Sequence, residues 1–441
     1  MSTDDRTAKS TPQAIPPSQP ARSATLPPSP GHGRAAFAFI FVTVLLDMLA
    51  LGVIVPVLPK LIIRFEHGDM SMAATQTGIF AFVWAAMQFI FAPVTGGLSD
   101  RFGRRPIVLL SNFGLGCDYI LMAVAPTLSW LFLGRIISGI TSASFPTANA
   151  YVADVTPENE RAAKFGMLGA AFGLGFIVGP ALGGVLGGMG LRYPFWAAAG
   201  LSLANAAYGF FILPESLPRE RRAPFNLRKA NPVGSLRLLR SHPELFGLAT
   251  AMFLYYNAHE SLPSMFVLYT TYRYQWGAQL TGWALAAVGV GSTIVSAALI
   301  SLAIKRLGEL RTLYTGMLCG VTGFVLFALA PATPLFLVGI PFLSLWGLAS
   351  PAMQSLMSKR VSPSEQGQLQ GALMSLFGVA GMIAPLVFTQ IFALAIAPQR
   401  AVKLPGAPYW LAAALLGGSL MLAWNVTRRE AAQVAATRAS N

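Results

Sequence analysis

Three acidic residues and one arginine stand inside long apolar runs, where an ionisable side chain is energetically costly. They are Asp47, Asp118, Arg135 and Glu260. A charge at the middle of a bilayer costs about 2.5–3.5 kcal/mol on insertion scales, so such groups usually face a wet cavity and serve a function. A carboxylate can gain and lose a proton, whereas an arginine stays charged and acts as a fixed counter-charge. These four residues therefore predict proton or cation handling inside a membrane.

Polar residues share helical faces with two of these groups. Thr43 lies one turn before Asp47, and side chains at positions i and i+4 occupy the same face of a helix. Ser138 and Ser142 continue the face of Arg135 at helical spacing. Both sets of polar residues are explained if these helical faces line a cavity. The alternatives are structural: a buried hydrogen bond for an aspartate, or an arginine that extends to the membrane surface.

A second polar stripe surrounds Glu260. Asn257, Glu260, Ser261 and Ser264 follow the spacing i, i+3, i+4, i+7, which places all four on one face of a helix. Pro263 interrupts the backbone hydrogen bonds of that helix. Two interpretations are equally open: Glu260 is a functional acid, or the helix is unwound and the carboxylate is simply wet.

Other kinds of chemistry have little support in the chain. The two cysteines and four histidines are scattered and lack the spacing of a metal site. No lysine follows a glycine, so the phosphate-binding loop of an ATP-driven pump is missing. Gln88, Gln354 and Gln370 are weaker candidates for cavity contacts, since a buried glutamine can equally bridge helices. We therefore expect neither an enzyme active site nor a resident metal or cofactor.

Apolar helices must position these residues. The chain has 441 residues, of which 54% are hydrophobic and 11% are charged, against about a quarter charged in soluble domains. About twelve apolar runs are each long enough to cross a ~30 Å hydrocarbon core as a helix. The sequence therefore predicts an all-α membrane protein with 12 transmembrane helices.

The net charge of +14 could indicate nucleic-acid binding, but its distribution argues otherwise. If the N-terminus is cytoplasmic, 24 of the 31 Lys and Arg residues lie in cytoplasmic segments and six in outer loops. This is the positive-inside asymmetry of membrane proteins. We expect both termini in the cytoplasm, contact with anionic lipid on that side, and no nucleic-acid partner.

An internal repeat divides the chain into two halves. Arg101 and Gly103 recur as Arg306 and Gly308, and Pro180 recurs as Pro385, each 205 positions later. Parallel halves of six helices are typical of transporters that rock around a site near the membrane midplane. The sequence thus predicts two six-helix pseudo-repeats around a central cavity.

The predicted domain boundaries follow from composition. The five segments are a disordered cytoplasmic N-tail at 1–34, an N-terminal half at 35–213, a cytoplasmic linker at 214–243, a C-terminal half at 244–427 and a cytoplasmic C-tail at 428–441. The N-tail contains seven prolines and little to bury, and the linker is rich in proline and arginine.

The segment GGLSDRFGRRP, from Gly96 to Pro106, resembles the signature that follows the second helix in the major facilitator superfamily. The resemblance implies a conformational latch at the cytoplasmic helix ends, formed by Gly96, Asp100, Arg101, Gly103, Arg104 and Arg105. The run GLGFIVGPALGG resembles the fifth-helix motif associated with antiporters. Its corresponding residues are Gly175, Gly179, Pro180, Gly183 and Gly184.

Within that superfamily the chain resembles the tetracycline/proton antiporter family more closely, through segments such as LLDMLALGVIVPVLP (45–59) and GRIISGITSAS (134–144). That resemblance implies roles for Asp47, Asp118 and Arg135 in substrate and proton coupling. Two positions depart from the family: its ninth-helix acid falls near Gly320, and its eighth-helix histidine falls near Ser292.

These observations predict a proton-coupled exporter of amphiphilic drugs that works by alternating access in a bacterial inner membrane. Its partners are a small-molecule substrate, protons and the lipid bilayer, and we expect it to function as a monomer. A substrate that travels as a metal chelate is compatible with this scheme. The alternatives are a proton-coupled symporter of a nutrient or metabolite and, in a different class, a membrane protein without transport activity.

Overall fold

The computed structural model describes residues 30–142, 144–224, 243–362 and 365–440, and the regular elements in these ranges are all helical. The first half contains eight helices, because two of the membrane-crossing segments are each divided by a break. They are α1 (Pro30–Ile54), α2 (Leu58–Phe65), α3 (Met70–Phe102), α4 (Arg104–Val124), α5 (Leu128–Thr141), α6 (Ser144–Val155), α7 (Glu158–Met189) and α8 (Tyr193–Ile212). A single 3₁₀ turn, Arg219–Arg221, follows α8.

The second half repeats this arrangement. Its helices are α9 (Pro243–Tyr274), α10 (Ala278–Ile294), α11 (Ile300–Leu329), α12 (Thr333–Trp346), α13 (Ala349–Ser358), α14 (Gln366–Ile396) and α15 (Ala407–Ser440). A π-helical turn, Val295–Leu299, joins α10 to α11. The predicted tail at 1–34 and linker at 214–243 lie largely outside the described residues, whereas the helix α15 continues from the second half into the predicted C-tail.

Ten helical stretches among the described residues are long and apolar enough to cross a membrane. One of them, Ala278–Leu329, has 52 residues and is broken at Gly308, which has the non-helical backbone angles φ 76° and ψ 167°. The helix α9 is a further element of 32 residues outside these ten. The all-helical membrane fold is therefore as predicted, and the twelve-helix count is consistent with it.

The glycine turns of the two halves confirm that the sequence repeat is a structural one. Gly103, between α3 and α4, has φ 109°, and Gly308 has φ 76°. Both values lie in the left-handed region, which glycine adopts without steric cost. Pro180 and Pro385 likewise occupy interior positions of α7 and α14. Each half therefore turns sharply at the same place in its sequence.

The halves are packed internally and meet mainly along two helix pairs. In the first half α1 packs on α7 and α8, and in the second half α9 packs on α14 and α15. Between the halves α3 packs on α14 and α7 packs on α10. We call the end of the bundle with the α3–α4 turn the Gly103 end, and the opposite end, which contains α2, the Lys60 end.

The halves are tightly joined at the Lys60 end and separate toward the Gly103 end. A methyl group added at Gly184 of α7 would lie 2.8 Å from the Ala278 carbonyl oxygen of α10, and the hydroxyl of Ser71 on α3 donates to the Ala393 carbonyl of α14 at 3.0 Å. At the opposite end, a methyl group at Gly96 of α3 or Gly367 of α14 would meet no atom within 4 Å. The described contacts between the halves therefore lie toward the Lys60 end, and these two glycines near the Gly103 end make none.

Candidate functional site

Asp47 is held by two asparagines from neighbouring helices. Its side chain on α1 is 6% exposed, and the Nδ2 of Asn205 on α8 donates to its Oδ1 at 3.1 Å and to the Thr43 carbonyl at 2.9 Å. With its amide nitrogen facing the carboxylate, Asn112 of α4 donates to Oδ1 at 2.8 Å and to Oδ2 at 3.2 Å. An ionised carboxylate only accepts hydrogen bonds, so this clamp suits the charged form of Asp47.

Asp118 has a different environment at similar depth. Its side chain on α4 is 1% exposed, and neither carboxylate oxygen meets a hydrogen-bond donor in good geometry, although Ser138 lies nearby. Arg135 on α5 supplies the opposing charge. The guanidinium carbon of Arg135 lies 5.1 Å from the ring centre of Trp84 on α3. Arg135 is thus stacked inside the first half instead of extending to the membrane surface.

Small residues on α5 make this arrangement possible. A methyl group at Gly134 would lie 2.8 Å from Oδ1 of Asp118, and one at Gly139 would lie 2.7 Å from the Trp84 carbonyl oxygen. The glycines therefore let α5 approach both α4 and α3 closely. Two positions near Arg135 thus have to stay small for the acid and the arginine to face each other.

Several buried polar atoms around the two acids lack a protein partner. They include Thr43 Oγ1, Trp84 Nε1, Ser138 Oγ, Ser202 Oγ and Asn205 Oδ1. Buried polar groups are normally hydrogen-bonded to protein or to ordered water. The first half therefore contains a polar region suited to water or to polar groups of a ligand.

The polar side chains around Glu260 largely donate their hydrogen bonds to backbone carbonyl groups of their own helix. Asn257 donates to the Phe253 carbonyl at 2.8 Å, and Ser264 donates to the Glu260 carbonyl at 2.6 Å. The helix α9 continues through Pro263, so the unwound alternative for this segment is wrong. The Glu260 side chain is 15% exposed, and its Oε1 lies 3.8 Å from Nδ1 of His259.

His259 is a titratable group that the sequence interpretation did not include. Its side chain is 48% exposed, and its ring centre lies 5.7 Å from that of Trp346 on α12. The ring centre of Tyr255, one turn before His259 on α9, lies 4.8 Å from that of Trp346. A single histidine in an apolar run does not indicate a functional site by itself. The neighbours of His259 depend on the packing of α9 against α12, which the sequence does not show.

Trp346 also explains why the second half lacks a ninth-helix acid. A methyl group at Gly320 of α11 would lie 2.7 Å from the Trp346 ring and 2.6 Å from a Leu416 methyl. The space at this position is filled by the indole, so no carboxylate could occupy it without displacing Trp346. Ser292, the other departure from the family, is exposed on α10.

The remaining predicted cavity residues are spread over several helices. Gln88 and Ser142 are half-buried, and the Ser142 hydroxyl donates to the Ser138 carbonyl at 2.5 Å. Gln354 on α13 donates to Ser350 Oγ at 3.2 Å, and Gln370 near the start of α14 is exposed. The structure brings none of these side chains into contact with Asp47 or Asp118 through a described hydrogen bond.

The α3–α4 turn forms an ion-pair network centred on Arg104. Its guanidinium lies 2.5 Å from Asp100 Oδ1 and 3.2 Å from Asp154 Oδ2 at the end of α6, and it donates to Ser99 Oγ at 2.7 Å. The backbone N–H of Arg104 donates to Glu215 Oε1 at 2.8 Å. Asp100, Ser99 and Asp154 belong to the first half and Glu215 to the start of the predicted linker, so the network joins the first half to itself and to the segment that follows it.

The other residues of the predicted latch have separate contacts. Arg105 donates to the Phe210 carbonyl at 2.5 Å, and the Arg101 guanidinium lies 5.1 Å from the Phe102 ring centre. Gly103 is closely covered, since a methyl group there would lie 2.2 Å from a carboxylate oxygen of Glu215. Gly96 has open space around it.

The glycine motif of α7 packs against two helices from different halves. Methyl groups at Gly175, Gly179 and Gly183 would lie within 2.0–2.7 Å of atoms of α1. On another face, the Pro180 carbonyl and Gly184 contact Gly282 of α10, with distances of 2.3 and 2.7 Å to a methyl placed at Gly282. The helix α7 is therefore closely packed against both α1 of its own half and α10 of the other half.

Sequence reasoning missed the residues that hold the predicted site in place. Asn112, Asn205, Asp154 and Glu215 are far from Asp47 and Arg104 in sequence and lie in four different segments. Asn112 and Asn205 sit in apolar runs, and their polarity was an available signal. Their partners, however, depend on which helices pack together.

Comparison with known proteins identifies the family. A family model described as Major Facilitator Superfamily matches residues 40–385, well over half of the chain. The chain belongs to the major facilitator superfamily. Membership of this superfamily agrees with the predicted fold and with a transporter instead of an enzyme, and the many apolar helices agree with a multi-pass membrane protein.

Within the superfamily, the chain is similar to curated tetracycline resistance proteins. The chain is 38% identical over 358 residues to the class C tetracycline resistance protein of Escherichia coli, covering 81% of this chain and 90% of the relative. It is 36% identical to the class D protein of Salmonella ordonez, covering 90% and 98%. The solved structure of the human organic anion transporter MFSD10 is 25% identical with a TM-score of 0.65, covering 89% of this chain and 99% of that one.

Proposed function

We propose that this protein is a proton-coupled antiporter that exports amphiphilic drugs of the tetracycline type. The observation that carries the proposal is Asp118, a buried carboxylate with no good hydrogen-bond donor, which faces Arg135 in a superfamily of transporters. The similarity to tetracycline resistance proteins over most of the chain supports the substrate class. Export and proton entry then use the same pocket in opposite directions.

In this scheme Asp118 is the proton acceptor and Arg135 is the fixed charge. Proton binding removes the charge of Asp118, while Arg135 keeps its own charge. Substrate and proton need only favour different conformations of the protein for their movements to be coupled. Asp47 is already held by amide donors, so its role is to keep a negative charge in the polar region beside the cavity.

The membrane orientation follows from the distribution of charge. The Gly103 end faces the cytoplasm because it contains most of the Lys and Arg residues, and both termini lie on that side. In this proposal the conformation described is the one that opens to the cytoplasm of a bacterial inner membrane. The protein functions as a monomer, takes its driving force from the proton gradient, needs no resident cofactor and can carry its substrate as a metal chelate.

Drug susceptibility in a pump-deficient bacterial host tests this function. Expression of the wild-type protein is expected to raise the inhibitory concentration of tetracycline or another amphiphilic drug in a panel, and Asp118→Asn is expected to abolish the increase at equal membrane expression. If expression of the wild-type protein instead lowered the inhibitory concentration of the drug, the result would indicate uptake. Unchanged susceptibility across the panel, together with no proton-coupled flux of these drugs, would contradict the proposal.

A further inference from the structure

Lys60 connects the two halves at the Lys60 end. It lies on α2 in the first half, and its Nζ donates to Thr271 Oγ1 at 2.8 Å and to the Trp276 carbonyl oxygen at 2.5 Å in the second half. The bonds are partly buried, and their partners are 211 and 216 positions away in sequence. A lysine in such a position is fastened to the opposite half of the molecule, not to its own helix.

The acceptors are held rigidly. Thr271 lies in the last turn of α9, where unpaired carbonyl groups and the helix dipole favour a cation. Trp276 is 4% exposed, its indole donates to Thr333 Oγ1 at 3.0 Å, and its ring packs edge-on against Phe336 of α12 at 5.7 Å. The Trp276 side chain is therefore packed against α12, and its backbone N–H donates to the Thr270 carbonyl of α9 at 3.3 Å. Lys60 is thus bonded to the last turn of α9 and to the segment that joins α9 to α10.

These bonds cannot survive opening of the Lys60 end. In alternating access the two halves separate at one end when they close at the other. Lys60 and Thr271 lie in different halves, so their separation has to increase when this end opens. The bonds consequently exist in one of the two conformations only, and interactions of this kind set the equilibrium between them.

We propose that Lys60 is a positioning residue of the transport cycle, which stabilises the conformation closed at the Lys60 end by binding the C-terminus of α9 and the Trp276 carbonyl. It acts through the halves and makes no contact with substrate. The orientation of this conformation as cytoplasm-open rests on the proposed function, but the bond and its effect on the two conformations do not.

Distance measurements between the halves test the proposal. Spin labels are attached at His67→Cys and Ala401→Cys, two exposed positions at the Lys60 end, after Cys117→Ser and Cys319→Ser. Double electron–electron resonance then reports closed and open populations without substrate or gradient. A hydrogen bond to a charged group contributes enough that Lys60→Met is expected to lower the closed-to-open ratio about tenfold. Thr271→Val removes one acceptor and is expected to shift the ratio less, in the same direction.

The matched control is Lys403→Met, an exposed lysine at the same end. It is expected to leave the distance distribution unchanged. If Lys60→Met and Thr271→Val both gave the wild-type distribution, or if Lys403→Met shifted it equally, the proposal would be wrong. Poor folding of Lys60→Met alone leaves Thr271→Val as the deciding variant.

Transport kinetics separates this inference from the proposed function. The apparent affinity for substrate falls in proportion to the population of the binding-competent conformation. Lys60→Met is therefore expected to raise KM for substrate presented at the Gly103 end more than it lowers kcat. If Lys60→Met shifted the distance distribution but the wild-type protein exported none of the drugs, the role of Lys60 would be retained and the antiporter function rejected. If the wild-type protein exported the drugs but the distribution of Lys60→Met were unshifted, the antiporter function would be retained and the role of Lys60 rejected.

Discussion

The two halves of this protein share a scaffold but differ in their charges. In the first half Arg104 pairs with Asp154, with an N–O distance of 3.2 Å. In the second half Glu309 pairs with Lys359 at 2.6 Å, and each residue lies 205 positions after its counterpart. The same two helix ends are thus joined by an ion pair of opposite polarity. The pairing belongs to the repeated scaffold, while the sign of each charge does not.

The membrane interior shows a larger difference. The first half buries Asp47 beside Asn205 and Asp118 opposite Arg135, and the second half fills the region around Gly320 with Trp346. Glu260 is 15% exposed and lies next to His259, outside any buried amide clamp among the described residues. A duplicated fold can therefore bury ionisable side chains in one half and fill the matching region of the other half with an aromatic side chain.

The largest effect is expected at Asp118. We predict that Asp118→Asn abolishes proton-driven export, because the amide cannot carry a proton and leaves Arg135 without its opposing charge. Drug efflux driven by an imposed pH gradient in inverted membrane vesicles measures this change. The matched control is Asp69→Asn, since Asp69 is an exposed helix cap at Met70. Wild-type efflux in Asp118→Asn would remove Asp118 from the coupling site.

Asp47 is expected to be more important for stability. We predict that Asp47→Asn lowers the melting temperature, since the new amide group would face the donors of Asn112 and Asn205 and cost about 1–3 kcal/mol. Export should fall less than in Asp118→Asn. Thermal unfolding in detergent, compared with vesicle efflux at equal protein, checks both expectations. A fully stable Asp47→Asn with no export would reverse the roles assigned to the two acids.

A selective effect is expected at Glu260. We predict that Glu260→Gln weakens the export of cationic compounds several-fold and of neutral compounds little, because charge attraction in a partly exposed site is appreciable for a bound cation. Efflux of one cationic and one neutral substrate by the same vesicles measures the ratio. Equal loss for both would restrict Glu260 to a structural or proton-binding role, and no loss would leave it without a transport role.

The smallest effects are expected for the ion pairs of the repeated scaffold. Glu309→Lys with Lys359→Glu should restore most of the stability lost in either single variant, because Lys359 is 64% exposed and the exchange gives up only one further bond, the one from Ser355 to Glu309 at 2.8 Å. Arg104→Asp with Asp154→Arg should not restore it, because Arg104 also binds Asp100 and Ser99. Melting temperatures of the six variants check this contrast. Restoration in both halves would mean that the two networks are equivalent.

The fold could be predicted because its signals, apolar run length and an internal repeat, can be read from the sequence without knowing which helices pack together. Apolar length predicts helices, and the repeat of Gly103 at Gly308 predicts two similar halves with the same turn. The sequence left open whether the helix around Pro263 is unwound, since proline raises the cost of a helix, and the structure shows a continuous helix that packs on α14 and α15.

The site was predictable only in part. Asp47, Asp118 and Arg135 can be identified as candidates from the sequence because a charged side chain in an apolar run is energetically costly. The clamp from Asn112 and Asn205 was not predictable, because it depends on the contact of α1, α4 and α8, which are distant in sequence. The bond from Lys60 was hidden for the same reason, since it needs the two halves to meet.

Reconstitution in proteoliposomes tests the central claim most directly. The wild-type protein is reconstituted with a pH-sensitive dye inside, and a tetracycline gradient is imposed without a proton gradient. The account predicts proton movement opposite to the drug, and drug accumulation when a pH gradient is imposed instead, with both lost in Asp118→Asn. Drug movement without proton movement, or unchanged coupling in Asp118→Asn, would contradict it.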